Sequence, residues 1–305
     1  VKAGHWIGLD VGGSKILGVV VDHGNEVVGR ERVATRRDEG PEAVLQRCLA
    51  LARGLGAGRN VLAAGIGFAG LVDAGRGRVA SSIMLPGWDG FPLGARVSEE
   101  LALPCRVEND ANAAGYGEWI ALGSPPGLDL VVLTIGTGIG GAILFGGRLH
   151  RGASGGSGEI GNMSIDWNGP ECWCGSRGCL NMLASGSALS GRYAELTRGP
   201  ALPVQELGQR ARAGDGVARR VIEDGARALG AGLANLINLL NPARIGLSGG
   251  VTDLGDPWLA LVRAEAARRA FAESLGAVTI ARCRLGEESG AIGAAALARA
   301  ELGGA

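Results

Sequence analysis

Glu108-Asn-Asp-Ala-Asn112 gathers two carboxylates and two side-chain amides within five residues. Arg106–Asn109 reads as a strand that runs into a helix over Ala111–Leu122. At that junction Asp110 or Asn109 can cap the helix, a role both residue types favour. A carboxylate there can also accept the proton of an attacking hydroxyl, and the Asn109 amide can both donate to and accept from a sugar hydroxyl. Phosphoryl transfer asks for little else: positioning, charge neutralisation and a group that orients the nucleophile. Glu159, ringed by glycines in Ser157-Gly-Glu-Ile-Gly161, reads as a bidentate acceptor for two neighbouring hydroxyls.

Three glycine loops complement these acids. Leu9-Asp-Val-Gly-Gly-Ser-Lys15 joins two apolar runs. Gly12 and Gly13 let a ligand approach the backbone, and free N–H groups in such a turn cradle phosphate oxygens. Ser14 and Lys15 add a hydroxyl and a charge, and Asp10 is placed to hold Mg2+ through water. A plain hairpin turn is the competing reading. Thr134-Ile-Gly-Thr-Gly-Ile-Gly-Gly141 is the second loop, with Thr137 and Gly138 at its tip. It matches G-x-G-x-x-G loosely, but a strand-like run follows where a dinucleotide fold needs a helix. Ile245-Gly-Leu-Ser-Gly-Gly250 is the third; Gly249 and Gly250 offer a flat wall for an adenine ring, or simply a tight strand–helix turn.

Six cysteines are present, and Cys172, Cys174 and Cys179 fall within eight residues. Without an export signal, such a cluster suggests a metal more than disulfides. Cys48, Cys105 and Cys283 read as small buried hydrophobes.

Several elements must position these groups. Strands are expected over His5–Val11, Lys15–Asp22, Glu26–Ala34, Val61–Phe68, Leu130–Ile135, Gly141–Phe145, Ala243–Ser248 and Val278–Ala281. Helices are expected over Pro41–Leu55, Gly216–Leu240, Pro257–Ser274 and Ser289–Glu301. A strand–glycine turn–strand unit occurs at Ile7–Val19 and again at Val131–Leu144, so the halves read as two copies of one design.

Thirty basic and thirty acidic residues balance, which argues against a nucleic-acid surface. With no signal-like segment and no apolar run of membrane-spanning length, the expectation is a cytoplasmic protein without membrane or nucleic-acid partners.

Taken in order, these segments resemble the ROK family of bacterial sugar kinases and related repressors. The resemblance runs from Ile7 to Leu297 through Asp10-Val-Gly-Gly-Ser-Lys15, Phe68-Ala-Gly-Leu-Val-Asp73, Glu108-Asn-Asp-Ala-Asn112, Gly136-Thr-Gly-Ile-Gly-Gly141, Gly158-Glu-Ile-Gly161, Cys172-Trp-Cys-Gly-Ser-Arg-Gly-Cys179, Ser248-Gly-Gly250 and Gly290-Ala-Ile-Gly-Ala294. It implies an α/β, two-lobed actin/hexokinase-type (ribonuclease H-like) ATPase fold. The expected small lobe covers residues 1–112 plus 289–305, and the large lobe 113–288. It also implies an ATP-dependent sugar kinase using Mg2+, with Asp110 as general base and Gly70, Asn109, Asp110 and Glu159 at the sugar. A homodimer or homotetramer is implied as well. A repressor of the family would carry a DNA-binding module before the phosphate turn, and six residues precede Ile7.

The departures from the family pattern fall at the sugar end. Glu-x-Gly-His becomes Glu159-Ile-Gly-Asn162, Cys-Leu-Glu becomes Cys179-Leu-Asn181, and Asn-Leu-x-Gly-Trp becomes Met84-Leu-Pro-Gly-Trp88. Asn162 and Asn181 thus occupy sugar-contact positions. The missing histidine is also the family's fourth zinc ligand, so zinc on Cys172, Cys174 and Cys179 would need another donor, such as His150 or Asp166. The expected acceptor therefore differs from plain glucose: an amino sugar, an N-acyl hexosamine, a ketose or a cyclitol. A sugar-binding regulatory protein with impaired catalysis is the alternative.

Overall fold

The computed structural model describes residues 4–302. Its strands are β1 Gly4–Val11, β2 Lys15–Val21, β3 Val27–Ala34, β4 Asn60–Phe68, β5 Leu71–Asp73, β6 Arg78–Ser81, β7 Cys105–Asn109, β8 Leu130–Ile135, β9 Ile139–Phe145, β10 Arg148–Leu149, β11 Arg244–Ser248 and β12 Thr279–Arg282. One sheet has the order β3-β2-β1-β4-β7, and another the order β10-β9-β8-β11-β12. The two orders correspond strand for strand, so the duplicated design expected from the glycine turns is present. In the first sheet β3, β2 and β1 pair antiparallel and β1, β4 and β7 parallel; in the second β10 and β9 pair antiparallel and β8, β11 and β12 parallel. The small pair β5–β6 stands apart.

The chain forms two compact units: Val1–Gly127 with Ala142–Gly158 and Arg284–Ala305, and Leu128–Gly141 with Glu159–Cys283. In the first unit, alternation along β1 divides two cores. Ile7, Leu9 and Val11 pack with Val44, Leu45 and Leu49 of the helix Pro41–Gly56. Trp6, with Val19 and Val21 of β2, packs with Ala291, Ile292 and Ala295 of the helix Ser289–Leu302. That last helix lies almost on the backbone of the sheet. A Cβ on Gly8 would fall 1.9 Å from the Ala291 carbonyl oxygen, and one on Gly65 1.9 Å from that of Ala294. Only glycine admits such a distance. The edge strand β3 carries Arg30, Glu31 and Arg32 at exposed positions, which discourages further strand pairing.

The second unit is built around β8, β11 and the long helix Gly216–Leu240, with Leu133, Ile135, Leu229, Leu233, Ile237, Ile245 and Leu247 in its core. The helix expected over Pro257–Ser274 is two helices, Asp256–Arg269 and Ala272–Ala277. Asn238 breaks it: its Oδ1 accepts from the Phe271 N–H at 2.9 Å, and its Nδ2 donates to the Arg269 carbonyl at 3.5 Å. The side chain thereby takes backbone groups that an uninterrupted helix would use. Among the described residues, no helix is long and apolar enough to cross a membrane.

Gly65→Val tests the close helix–sheet approach. The added side chain must push back the Ala294 backbone, so unfolding stability falls by roughly 3 kcal/mol or more. A melting temperature within about 2 °C of the parent would contradict this packing.

Candidate functional site

Strand register assembles the first group of residues. In parallel β1, β4 and β7, Asp10 lies opposite Gly67 and Gly67 opposite Glu108. Val11, Phe68 and Asn109 form the next row. Asp10 and Asn109-Asp110 therefore reach the carboxyl ends of β1 and β7 together, on either side of β4, where open α/β sheets bind ligands. Between them Gly67 carries no side chain.

The helix Asp110–Ala121 starts at this edge. Asn109 is its cap, accepting from the Asn112 N–H at 3.0 Å. The Asn109 Nδ2 donates to the Gly70 carbonyl at 3.0 Å and to Asp110 Oδ1 at 3.1 Å. Asp110 Oδ1 also accepts from the Ala111 N–H at 2.8 Å. Capping by Asn109 and a chemical role for Asp110 are thus compatible. Glu108, 2% exposed, braces the junction from behind. It accepts from its neighbour's N–H (Asn109) and from Asn112 Nδ2, both at 3.1 Å, and from Arg151 Nε at 2.6 Å. Arg151 in turn pairs with Glu301 of the terminal helix at 2.7 Å.

At the phosphate-type turn, Gly12 N–H donates to the Lys15 carbonyl at 3.0 Å. Thr35, fully buried, donates its hydroxyl to the Gly12 carbonyl at 2.6 Å and its N–H to the Ser14 carbonyl at 3.0 Å. The turn's carbonyls are thereby engaged from behind. Lys15 Nζ lies 2.6 Å from Glu287 and shares it with Arg32. Met84 lies against this turn, its methyl 3.4 Å from where a Cβ on Gly13 would sit.

Asp10 has the strongest electrostatic signature. Burial, then the neighbouring Asp110 carboxylate, push its pKa up to about 7, with Lys15 opposing and Glu287 adding. The Gly290 backbone is packed so closely that a Cβ there would fall 2.9 Å from the Asp10 carboxyl carbon. Two carboxylates that disfavour each other's charge make a donor set suited to a hard divalent cation.

The second unit holds the other predicted residues. The loop between β8 and β9 exposes Thr137 and Gly138, and it is tied down by the Gly186 N–H donating to the Gly136 carbonyl at 2.7 Å. Gly249, at φ 90°, lies against this loop's base: a Cβ there would meet the Ile135 backbone at 2.5 Å. Gly250 follows and starts a 3-10 turn ending at Leu254. Glu159, Asn162 and Asn181 come together. Asn162 Nδ2 donates to Glu159 Oε2 at 3.2 Å, and Asn181 Nδ2 donates to Asn162 Oδ1 at 2.9 Å. Partial burial raises the Glu159 pKa above its ordinary value.

Cys172, Cys174 and Cys179 converge, their sulfurs within 4.8 Å of one another. The Ser176 backbone, then the other two thiols, lower the Cys174 pKa, whereas burial pushes Cys179 up to about 12. Three soft donors suit zinc, but a closed structural site takes four. Among the described residues no histidine or carboxylate joins the cluster, His150 and Asp166 included. The Asn162 amide is engaged with Glu159 and Asn181 instead.

Sequence reasoning missed Glu287, Arg151 and the bracing role of Glu108. Glu287 lies 272 residues from Lys15, and Arg151 lies 43 from Glu108; no local pattern announces either pair.

With this geometry in place, the relatives fall into line. A ROK family glucokinase from Streptomyces griseus, solved with glucose and AMPPNP, superposes with a TM-score of 0.84 at 35% identity, over 97% of this chain and all of that one. The fold is the α/β actin/hexokinase type. The ROK family model matches residues 6–301, and the chain belongs to that family. It is 35% identical to a glucokinase of Streptomyces coelicolor, over 96% of this chain and 97% of that protein. It is also 30% identical to a putative xylose repressor of Caldicellulosiruptor, over 97% of this chain but 78% of the repressor.

The Asp10 environment sets a pH test. Its folded-state pKa lies above the unfolded value, so between about pH 4 and 7 the native state binds more protons than the unfolded one. Stability is then present at low pH and lost as pH rises through that window. Asp10→Asn removes the loss. Without nucleotide or divalent cation, its melting temperature should gain on the parent's by about 5 °C between pH 5 and 8. Parallel curves would show that Asp10 is not perturbed.

Proposed function

We propose that this chain transfers the γ-phosphoryl group of ATP to a hydroxyl of a small sugar. The observation that carries the reading is the pair Asp10 and Asp110 at the carboxyl ends of two parallel strands, β1 and β7, that flank β4. Asp110 acts as general base: its Oδ1 is held by Ala111 N–H and Asn109 Nδ2, which fixes the carboxylate's plane for the acceptor hydroxyl. Asp10 and Lys15 serve the phosphate side, with the N–H groups of Gly13 and Ser14 in the turn. Mg2+ bound near Asp10 would neutralise charge on the transferring phosphoryl group. Thr137, Gly138, Gly249 and Gly250 contact the nucleotide. Gly70 and Asn109 in the first unit, and Glu159, Asn162 and Asn181 in the second, are the residues assigned to the sugar.

The match to glucokinases supports a hexose-class acceptor, while Asn162 and Asn181 support one other than plain glucose, since a site built for particular hydroxyls rejects analogues that lack them. A coupled ADP-release screen over hexoses, amino sugars, N-acyl hexosamines and cyclitols tests this. Sugar-dependent ADP release is expected, reduced at least ~100-fold in kcat by Asp110→Asn. Glucose as the best acceptor by kcat/KM would remove the altered-acceptor reading, and no sugar-dependent release would remove the kinase reading.

We further propose that zinc binds the three thiolates with a fourth ligand from outside the protein. Such a site gives up its metal readily. Protein purified without chelator should carry zinc that EDTA strips within minutes. Less than a tenth of an equivalent before EDTA would contradict this.

A further inference from the structure

Asn181 lies in the first turn of the short helix Leu180–Ala184 and is 8% exposed. Its Oδ1 accepts from the N–H of Ile139 at 2.6 Å, where the β8–β9 glycine loop enters β9. A backbone N–H can only donate, so the oxygen of the Asn181 amide must face it and the NH2 must face away. That NH2 meets Asn162 Oδ1 at 2.9 Å. Asn162 must then turn its own NH2 the other way, and it meets Glu159 Oε2 at 3.2 Å. Each amide's direction is dictated by the group before it, starting from main chain that cannot reverse.

The surroundings leave this series little freedom. A Cβ on Gly161 would fall 2.1 Å from the Ile139 carbonyl oxygen and 2.6 Å from Asn181 Nδ2. The Asn162 carbonyl accepts from the Cys179 thiol at 3.3 Å, so the 3-10 turn Ile160–Asn162 is held on the cysteine loop as well. The Asn181 amide is buried with both its oxygen and its nitrogen engaged, as a buried amide requires.

We propose that Asn181 and Asn162 are coupled positioning residues that fix the Glu159 carboxylate relative to the glycine loop, and so determine which sugar the site accepts. The proposal rests on the reading of Glu159 as a sugar contact. A carboxylate at 181 has no hydrogen for Asn162; it would turn the Asn162 NH2 toward itself and set the Asn162 oxygen against Glu159. An acceptor then faces an acceptor, and the carboxylate swings out of place. Displacements of about 1 Å in such a shell are costly to recognition and rate.

Calorimetric titration tests it directly. Glucose, mannose, N-acetylglucosamine and N-acetylmannosamine are titrated into the wild-type chain, and the tightest-bound of the four is carried to the variants. Asn181→Asp keeps the acceptor for Ile139 but removes both hydrogens. It should weaken that sugar at least tenfold while AMPPNP affinity changes less than threefold. Asn162→Leu should weaken the sugar to a similar extent. The double variant should be no more than threefold worse than the weaker single, because either change alone already breaks the series. Effects that multiply, sugar affinity unchanged in Asn181→Asp, equal losses of sugar and nucleotide, or wild-type binding to none of the four would overturn the proposal. If Asn181→Asp fails to fold, Asn162→Leu alone decides, with the same tenfold and threefold limits. Wild-type sugar binding without phosphorylation would refute the kinase reading and leave the coupling to be judged by the binding data.

Discussion

Like charges are costly to bring together where water is scarce, and this fold does so at Asp10 and Asp110. The register of β1, β4 and β7 sets both at one edge, and burial with the Asp110 charge lifts the Asp10 pKa to about 7. A carboxyl raised in this way works against stability at neutral pH, and a bound cation would relieve it. Much of the first unit bears on holding that arrangement. The terminal helix lies against the glycine backbone of β1 and β4, Glu108 and Arg151 brace the strand end, and Thr35 fixes the phosphate-type turn from behind.

The parts of this arrangement that depend on local pattern were legible in the sequence. Apolar runs broken by Gly12-Gly13 and by Gly136–Gly141 announced the strand–turn–strand units, and the two sheets repeat one strand order. The strand-to-helix junction at Asn109-Asp110 followed from composition and cap chemistry. Features set by distant partners were not legible. The interruption at Ala270-Phe271 comes from Asn238 on another helix. The Lys15–Glu287 pair and the Arg151–Glu108 pair join segments far apart in the chain. Residues 162 and 181 stood out only as departures from a family pattern. That one amide orients the other could be seen only once Ile139, Asn181, Asn162 and Glu159 were placed together.

Two kinds of cluster thus separate along the chain. The first unit sets Asp10 beside Asp110 and Lys15 on a turn of bare backbone. The second joins two neutral amides, Asn181 and Asn162, to the Glu159 carboxylate. Neutral amides carry direction without charge, and their direction here is inherited from main chain. The cysteine loop adjoins the same cluster: the Cys179 thiol donates to the Asn162 carbonyl, and among the described residues no histidine or carboxylate joins the three sulfurs.

Transfer of radiolabel from γ-32P-ATP separates sugar phosphorylation from ATP hydrolysis. A sugar-kinase role requires label in a sugar phosphate in one-to-one proportion with ADP, and omission of the sugar stops both. Label released as inorganic phosphate at the same rate with and without sugar would contradict it.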